Sequence, residues 1–217
     1  MRILDLDCCS FSTELCMSLP FSSMDQLRNL HIRSSHIEDS AAFIRCLRST
    51  HHLQLHEFHL TNTPLNEAVM TSLADAIAKW GSLNTLVLRN LFPSLDDVSE
   101  ASSAVHEVFD VRHQQTIKRI ITAIAQCTSL QHLHLTQMHI ADETVPVLCV
   151  LMNGLHQLKT VYLRDNELSS NGVNALSECL ALRPQKMEMI DIRWNKEAPS
   201  DDTIRRLKMR SNYVVHN

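Results

Sequence analysis

Aliphatic residues recur along this chain in one compact order: two alternating positions, a polar turn, then helical spacing. The stretch LKTVYLRDNELSSNGVNAL, residues 158–176, shows it most cleanly. Val161 and Leu163 alternate as in a strand with one buried face, Asn166 interrupts, and Val173, Leu176 and Leu180 follow at roughly helical spacing. One strand, one turn and one helix fit within a single short unit. The order returns in MRILDLDCCSF from Met1, LRNLHIRSSHI from Leu27, THHLQLHEFHL from Thr50 and LNTLVLRNLFP from Leu83. It appears again in LQHLHLTQMHI from Leu130 and MEMIDIRWNKE from Met187.

The fourth and sixth positions of all seven copies are aliphatic: Leu4/Leu6, Leu30/Ile32, Leu53/Leu55, Leu86/Leu88, Leu133/Leu135, Val161/Leu163 and Ile190/Ile192. In a chain that is 44% hydrophobic, fourteen hits in fourteen arise by chance on the order of 10⁻⁵. Start-to-start spacings are 26, 23, 33, 47, 28 and 29. Helical patterns lie between the strands, over Glu67–Lys79 (Val69, Leu73, Ile77) and Gln115–Gln126 (Ile117, Ile120, Ile121, Ile124). The long spacing predicts an insertion near 93–113, polar at its start. Gly81 and Gly154 fall where a helix ends before a strand, which predicts left-handed glycine caps.

A strand buried on one face and a helix buried along one stripe are unstable alone. Stacked copies bury both, as a parallel sheet with helices on one side. Helices are wider than the ~4.8 Å strand spacing, so the stack curves with its sheet inside. Seven strands predict a horseshoe with a concave face about 30 Å long. SDDTIRRLKMR predicts a closing helix near 200–210, with Ser200 as N-cap, acids early and bases late. The first copy begins at Met1 with nothing before it, which reads as a cut or an unusually bare end.

These residues resemble the leucine-rich repeat family, whose signature is L-x-x-L-x-L-x-x-N/C-x-L. The lengths of 28 and 29, with helical returns, look like its ribonuclease-inhibitor-like subclass. The match is fullest over 130–195, where Asn166, Leu168, Gly172, Leu176 and Leu180 agree. Cys9, Asn166 and Asn195 hold the ninth position as the signature asks; Ser35, Phe58, Leu91 and Met138 do not. The polar ladder is therefore expected to be largely missing from the middle repeats. The resemblance implies one α/β leucine-rich-repeat horseshoe of about seven repeats over 1–217, and a protein-binding rather than catalytic role. Ribonuclease inhibitors, cytosolic immune receptors, bacterial effectors and Ran-type GTPase activators carry similar repeats, so a GTPase-activating protein is the alternative. The acidic tail such activators often carry is absent, since this chain ends RSNYVVHN.

Positions three, five, seven and eight face the concave side. Position seven reads Asp7, Arg33, His56, Arg89, Thr136, Arg164 and Arg193, with Tyr162, Asp165, Asp191 and Trp194 beside it. An exposed tryptophan and tyrosine among arginines have the composition of a protein-binding hot spot. The candidate contact set is Arg33, His56, Arg89, Tyr162, Arg164, Asp165, Asp191, Arg193 and Trp194. Four arginines meet five acids (Asp5, Asp7, Glu57, Asp165, Asp191). That mixture favours a specific partner over a polyanion.

Composition narrows the remaining classes. Net charge is −4 and the pI about 6.3, which weighs against nucleic-acid binding. Three glycines in 217 residues leave no glycine-rich phosphate loop. Seven cysteines form no CxxC pair and sit mostly in apolar settings, as in VLCVL and SECL. They read as buried thiols in a reducing compartment, the cytoplasm, or a host cytoplasm for a bacterial effector. No apolar run approaches a membrane span of ~20 residues, and MRILDLDCCS carries aspartates where a signal peptide needs an apolar stretch.

Thirteen histidines raise a metal reading, with His51, His52, His56 and His59 crowded together. His132 and His134 share a strand face and could chelate zinc, but the adjoining Thr85, Val87, Arg89, Thr160, Tyr162 and Arg164 offer no usual third ligand. No metal or cofactor is therefore expected. His31, His52, His56, His132 and His134 are expected to charge near pH ~6 and weaken binding of a cationic partner. Cys8 has no histidine on its strand, and Asp96/Asp97 read as turn residues, so neither supports catalysis.

Overall fold

The computed structural model describes residues 1–92 and 103–216. Eight strands form one parallel sheet in chain order: β1 (Ile3–Asp7), β2 (Asn29–Arg33), β3 (Glu57–Thr61), β4 (Thr85–Arg89), β5 (His132–Thr136), β6 (Thr160–Tyr162), β7 (Met187–Asp191) and β8 (Ser211–Val215). The helices between them are α1 (Thr13–Ser18), α2 (Ser40–Arg48), α3 (Glu67–Ile77), α4 (Ser103–Ile124), α5 (Val145–Gly154), α6 (Ser170–Ala181) and α7 (Asp201–Arg210). Consecutive helices pack side by side. The fourth and sixth residues of the repeats built on β2 to β7 are at most 2% exposed, and those of β1 only partly buried. The polar start of the predicted insertion, residues 93–102 with Asp96 and Asp97, lies outside the described residues. From Ser103 the long repeat is helical.

Two expectations need correction. The third strand is not built on Leu53 and Leu55. Phe58 and Leu60 pair with Leu30 and Ile32 on one side and Leu86 and Leu88 on the other. The repeat therefore starts at Leu55, and the irregular pair of spacings becomes 28 and 28. HHLQLHEFHL carries two overlapping alternations, and sheet register, which moves every side chain to the opposite face on a one-residue slip, accepts only one. The chain also does not close on α7: β8 follows it and pairs with β7 in parallel.

The turns after the strands are regular in a way the residue types do not advertise. The eighth position of all seven repeats from Met1 to Met187 is left-handed: Cys8, Ser34, Asn62, Asn90, Gln137, Asp165 and Trp194, with φ between 48° and 55°. No glycine among the described residues has positive φ, so Gly81 and Gly154 are not the left-handed caps expected of them. The chain instead places ordinary residues in a conformation costing roughly 1–2 kcal/mol each outside glycine, less for Asn and Asp.

Ninth-position side chains hold that turn. Ser35 Oγ accepts from Cys9 N at 3.1 Å, and Thr63 Oγ1 accepts from Ser35 N at 3.2 Å. Asn166 and Asn195 do the same work at the other end. Phe58 is not a ninth residue at all; the ladder fails only at Leu91 and Met138, both buried. Several of the turns then run into a capping side chain. Asp39 Oδ1 accepts from Ala42 N at 2.9 Å, Asn66 Oδ1 from Val69 N at 3.0 Å, and Ser200 Oγ from Thr203 N at 3.2 Å. At α6, Ser169 caps and Gly172 leaves room for the Asp142 carboxylate, which a Cβ would strike at 2.0 Å.

Candidate functional site

Positions three, five and seven of neighbouring strands converge on the face without helices. A hollow of about 320 Å³ there is lined by Thr61, Asn62, Val87, Arg89, His134, Thr136, Tyr162, Arg164, Asp191 and Arg193. Residues of five successive repeats border one space, so this face is concave. Within it His134 stacks on Tyr162, ring centroids 3.9 Å apart and 19° from parallel.

The three arginines are not equivalent. Arg193 is neutralised by the buried Asp191, with Nε on Oδ1 at 3.0 Å and Nη2 on Oδ2 at 2.7 Å. That fork raises the Arg193 pKa above its ordinary value. Arg164 reaches Asp165 Oδ2 only at 3.4 Å from both Nε and Nη2. Arg89 meets a neutral partner, Gln137 Oε1, at 3.0 Å. Trp194 is half exposed, and the guanidinium carbons of Arg164 and Arg193 lie 4.4 and 5.1 Å from its ring centre. Such contacts contribute roughly 0.5–1 kcal/mol each at exposed sites and fix the planes of both side chains.

Of the nine residues singled out by sequence, Arg89, Tyr162, Arg164, Asp191 and Arg193 line the hollow, and Asp165 and Trp194 adjoin it. Arg33 lies toward β1, where its Nη2 bonds Asp5 Oδ1 at 2.8 Å. His56 does not belong to the set. It occupies the second position of its repeat, before β3, and the slipped register alone had put it on the face. Thr136, placed on the face by its seventh position, was left out of the contact set, as were Thr61, Asn62, Val87 and His134; correct register would have found Thr61.

His134 does not titrate near pH ~6 as expected. Burial, followed by the charges of His59 and His132, drives its pKa from the ordinary 6.5 to about 4. The unfolded chain then binds a proton between pH 6.5 and 4 that the folded chain refuses. Stability from this group is therefore fully present above about 6.5 and is lost as pH falls toward about 4. Denaturant melts at stepped pH should show this loss, of order 1–2 kcal/mol after allowing for the ring's solvent contact. His134→Phe should lose correspondingly less over the same window. Equal slopes in both proteins would contradict the assignment.

No helix among the described residues is long and apolar enough to cross a membrane. No family model matches the chain. It is 24% identical over 196 residues to mouse protein NLRC5, spanning 74% of this chain and 10% of that protein. An internalin (inlF) from Listeria monocytogenes covers 90% of this chain and 49% of its own, at 16% identity and a TM-score of 0.49. The structure of a TLR13–ssRNA13 complex covers 89% and 36%, at 13% and 0.32. These likenesses are too distant to carry a partner or an activity. The identification rests on the chain's own repeats: its strand, left-handed turn and helix, stacked in register around L-x-x-L-x-L signatures, make it a leucine-rich-repeat array.

Proposed function

We propose that this chain is a non-enzymatic interaction module whose concave face grips an acidic segment of a partner protein. The observation that carries the reading is the convergence of Arg89, on a neutral Gln137, and Arg164, in a long 3.4 Å pair with Asp165, on one hollow beside an arginine-clamped tryptophan. A partner carboxylate would meet two guanidiniums beside the His134–Tyr162 stack, while Trp194 supplies a rigid aromatic anchor. Asp191 keeps Arg193 in place and prevents the face from becoming a general anion trap, which fits the net charge of −4. The helical returns favour the ribonuclease-inhibitor-like subclass.

The test is affinity capture with wild type against a variant carrying Arg164→Ala, Arg193→Ala and Trp194→Ala. Specific partners should be lost from the variant, and their purified affinities should fall at least ~30-fold, equivalent to about 2 kcal/mol. Binding should weaken with salt, because the contacts are charged and exposed. Partners retained by the variant would place the contact on another face. Stimulated GTP hydrolysis by a small GTPase, lost in the same variant, would favour a GTPase-activating role.

A further inference from the structure

The corrected register sets His31 and His59 side by side in β2 and β3, at the fifth position of their repeats. Their rings stack with centroids 4.3 Å apart and 19° from parallel. Glu57, two residues before His59 on the same face, reaches both: its Oε1 lies 2.8 Å from His59 Nε2 and 3.6 Å from His31 Nε2. Both Nε2 atoms are shut off from water, and neither makes a well-directed hydrogen bond.

The surroundings fix what these atoms present. His31 Nδ1 is 2.6 Å from Asp5 Oδ1, a group that can only accept, so a neutral His31 carries its proton on Nδ1. Its Nε2 then offers a lone pair toward Glu57 Oε1, another acceptor. Asn29 Nδ2 holds the other Glu57 oxygen at 2.7 Å, turning Oε1 toward the imidazoles. His59 Nε2 is likewise buried beside Glu57 Oε1. Two imidazole nitrogens and a carboxylate oxygen thus lie within a few ångströms of one another, a donor set a cation can bridge.

We propose that His31 Nε2, His59 Nε2 and Glu57 Oε1 form a binding site for a divalent transition ion of the zinc class. One ligand atom from each of the three residues lies within 4.8 Å of the others. Bonds of ~2.0–2.2 Å in a tetrahedron put ligand atoms about 3.3 Å apart, and the two Glu57 separations bracket that value. Binding turns the stacked imidazoles out of parallel, so that both Nε2 lone pairs aim at one ion. Two imidazoles select zinc-like ions over magnesium or calcium, which prefer oxygen. Asp5 and Asn29 act as the outer supports that orient ligating histidine and carboxylate. The fourth position is left to water or to a further side chain. His132 and His134 are not the pair that binds: His132 Nδ1 is taken by Thr160 Oγ1 at 2.9 Å, and His134 is stacked on Tyr162.

The test is calorimetric titration of the EDTA-treated, reduced full chain with zinc chloride near neutral pH. One ion per chain should bind in the micromolar range or tighter and raise the melting temperature. His59→Gln and Glu57→Gln should each abolish it, whereas His156→Gln on another surface should not. Asp5→Asn should keep the stoichiometry and weaken binding ~10–100-fold. Melts in EDTA verify that each variant is folded; should His59→Gln or Glu57→Gln fail to fold, Asp5→Asn decides. Cobalt substitution should give a nitrogen–oxygen spectrum without a thiolate band, which separates this site from the free cysteines. Zinc binding that survives folded His59→Gln and Glu57→Gln, a thiolate band, unchanged affinity in Asp5→Asn, or no binding would each overturn the proposal.

Discussion

Asn166→Ala is expected to destabilise the chain by about 3–5 kcal/mol, read as a fall of roughly 10–15 °C in melting temperature. The side chain is 6% exposed and joins two repeats. Its Oδ1 accepts from Met138 N at 3.0 Å and Ile140 N at 3.1 Å in the preceding turn. Its Nδ2 donates to Leu135 O at 2.7 Å, Leu163 O at 3.0 Å and, more weakly, Arg164 O at 3.3 Å. Alanine removes every one of these partners and gives the backbone nothing in return. Each buried polar group left unpaired costs about 1–3 kcal/mol, and partial entry of water lowers the sum.

Leu91 at the equivalent position suggests that an apolar residue is tolerated there, but its surroundings differ. In the turn that Leu91 would serve, Leu65 N donates to the Leu91 backbone carbonyl at 2.8 Å. The turn before Asn166 has its Ile140 N on the asparagine oxygen instead. Asn166→Leu should therefore cost nearly as much as alanine, despite filling the space. A loss below about 1 kcal/mol in either variant would mean that water replaces the amide fully.

The arc itself was legible because burying a strand face demands period two, and that signal survives in every repeat. Arg89, Tyr162, Arg164, Asp191 and Arg193 were found together for the same reason: their strands were in register. The third repeat shows how the method fails. Leu53/Leu55 and Phe58/Leu60 both satisfy the alternation, and only the equal spacing of starts at 27, 55 and 83 chooses between them. The slip brought in His56, lost Thr61 and hid the His31–His59 stack. β8 was missed because SNYVV follows Met187 by 24 residues and has His216 at its sixth position. Left-handed turns were invisible at Cys8, Ser34, Gln137 and Trp194, whose residue types carry no preference for positive φ, though Asn62, Asn90 and Asp165 hinted at them.

Arg183→Met should rank with the most damaging single changes, costing about 3–5 kcal/mol. Nothing in ALRPQKM marks this arginine as buried, yet it is 1% exposed. The reason lies in the end of α5, where Gly154 does not supply the left-handed cap that would satisfy the last carbonyls. Arg183 supplies donors from the next repeat. Its Nη1 bonds Met152 O, and its Nη2 reaches Leu155 O at 2.9 Å, Leu158 O at 2.8 Å and His156 O at 3.4 Å. Burial pushes its pKa down, but a guanidinium remains charged at neutral pH and sits at the negative end of the α5 dipole. Methionine would relieve the buried charge and match much of the volume, so the damage measures the orphaned carbonyls rather than a cavity. Arg183→Lys should recover only part of the loss, because a single ammonium cannot span the fork. A methionine variant as stable as wild type would show that the carbonyls find water. The same segment enters β6, since Leu158 stands two residues before Thr160 and leads to Tyr162 and Arg164. Loosening it should therefore weaken partner binding in a chain that still folds, linking a buried cation on the helical side to the guanidiniums displayed on the open one.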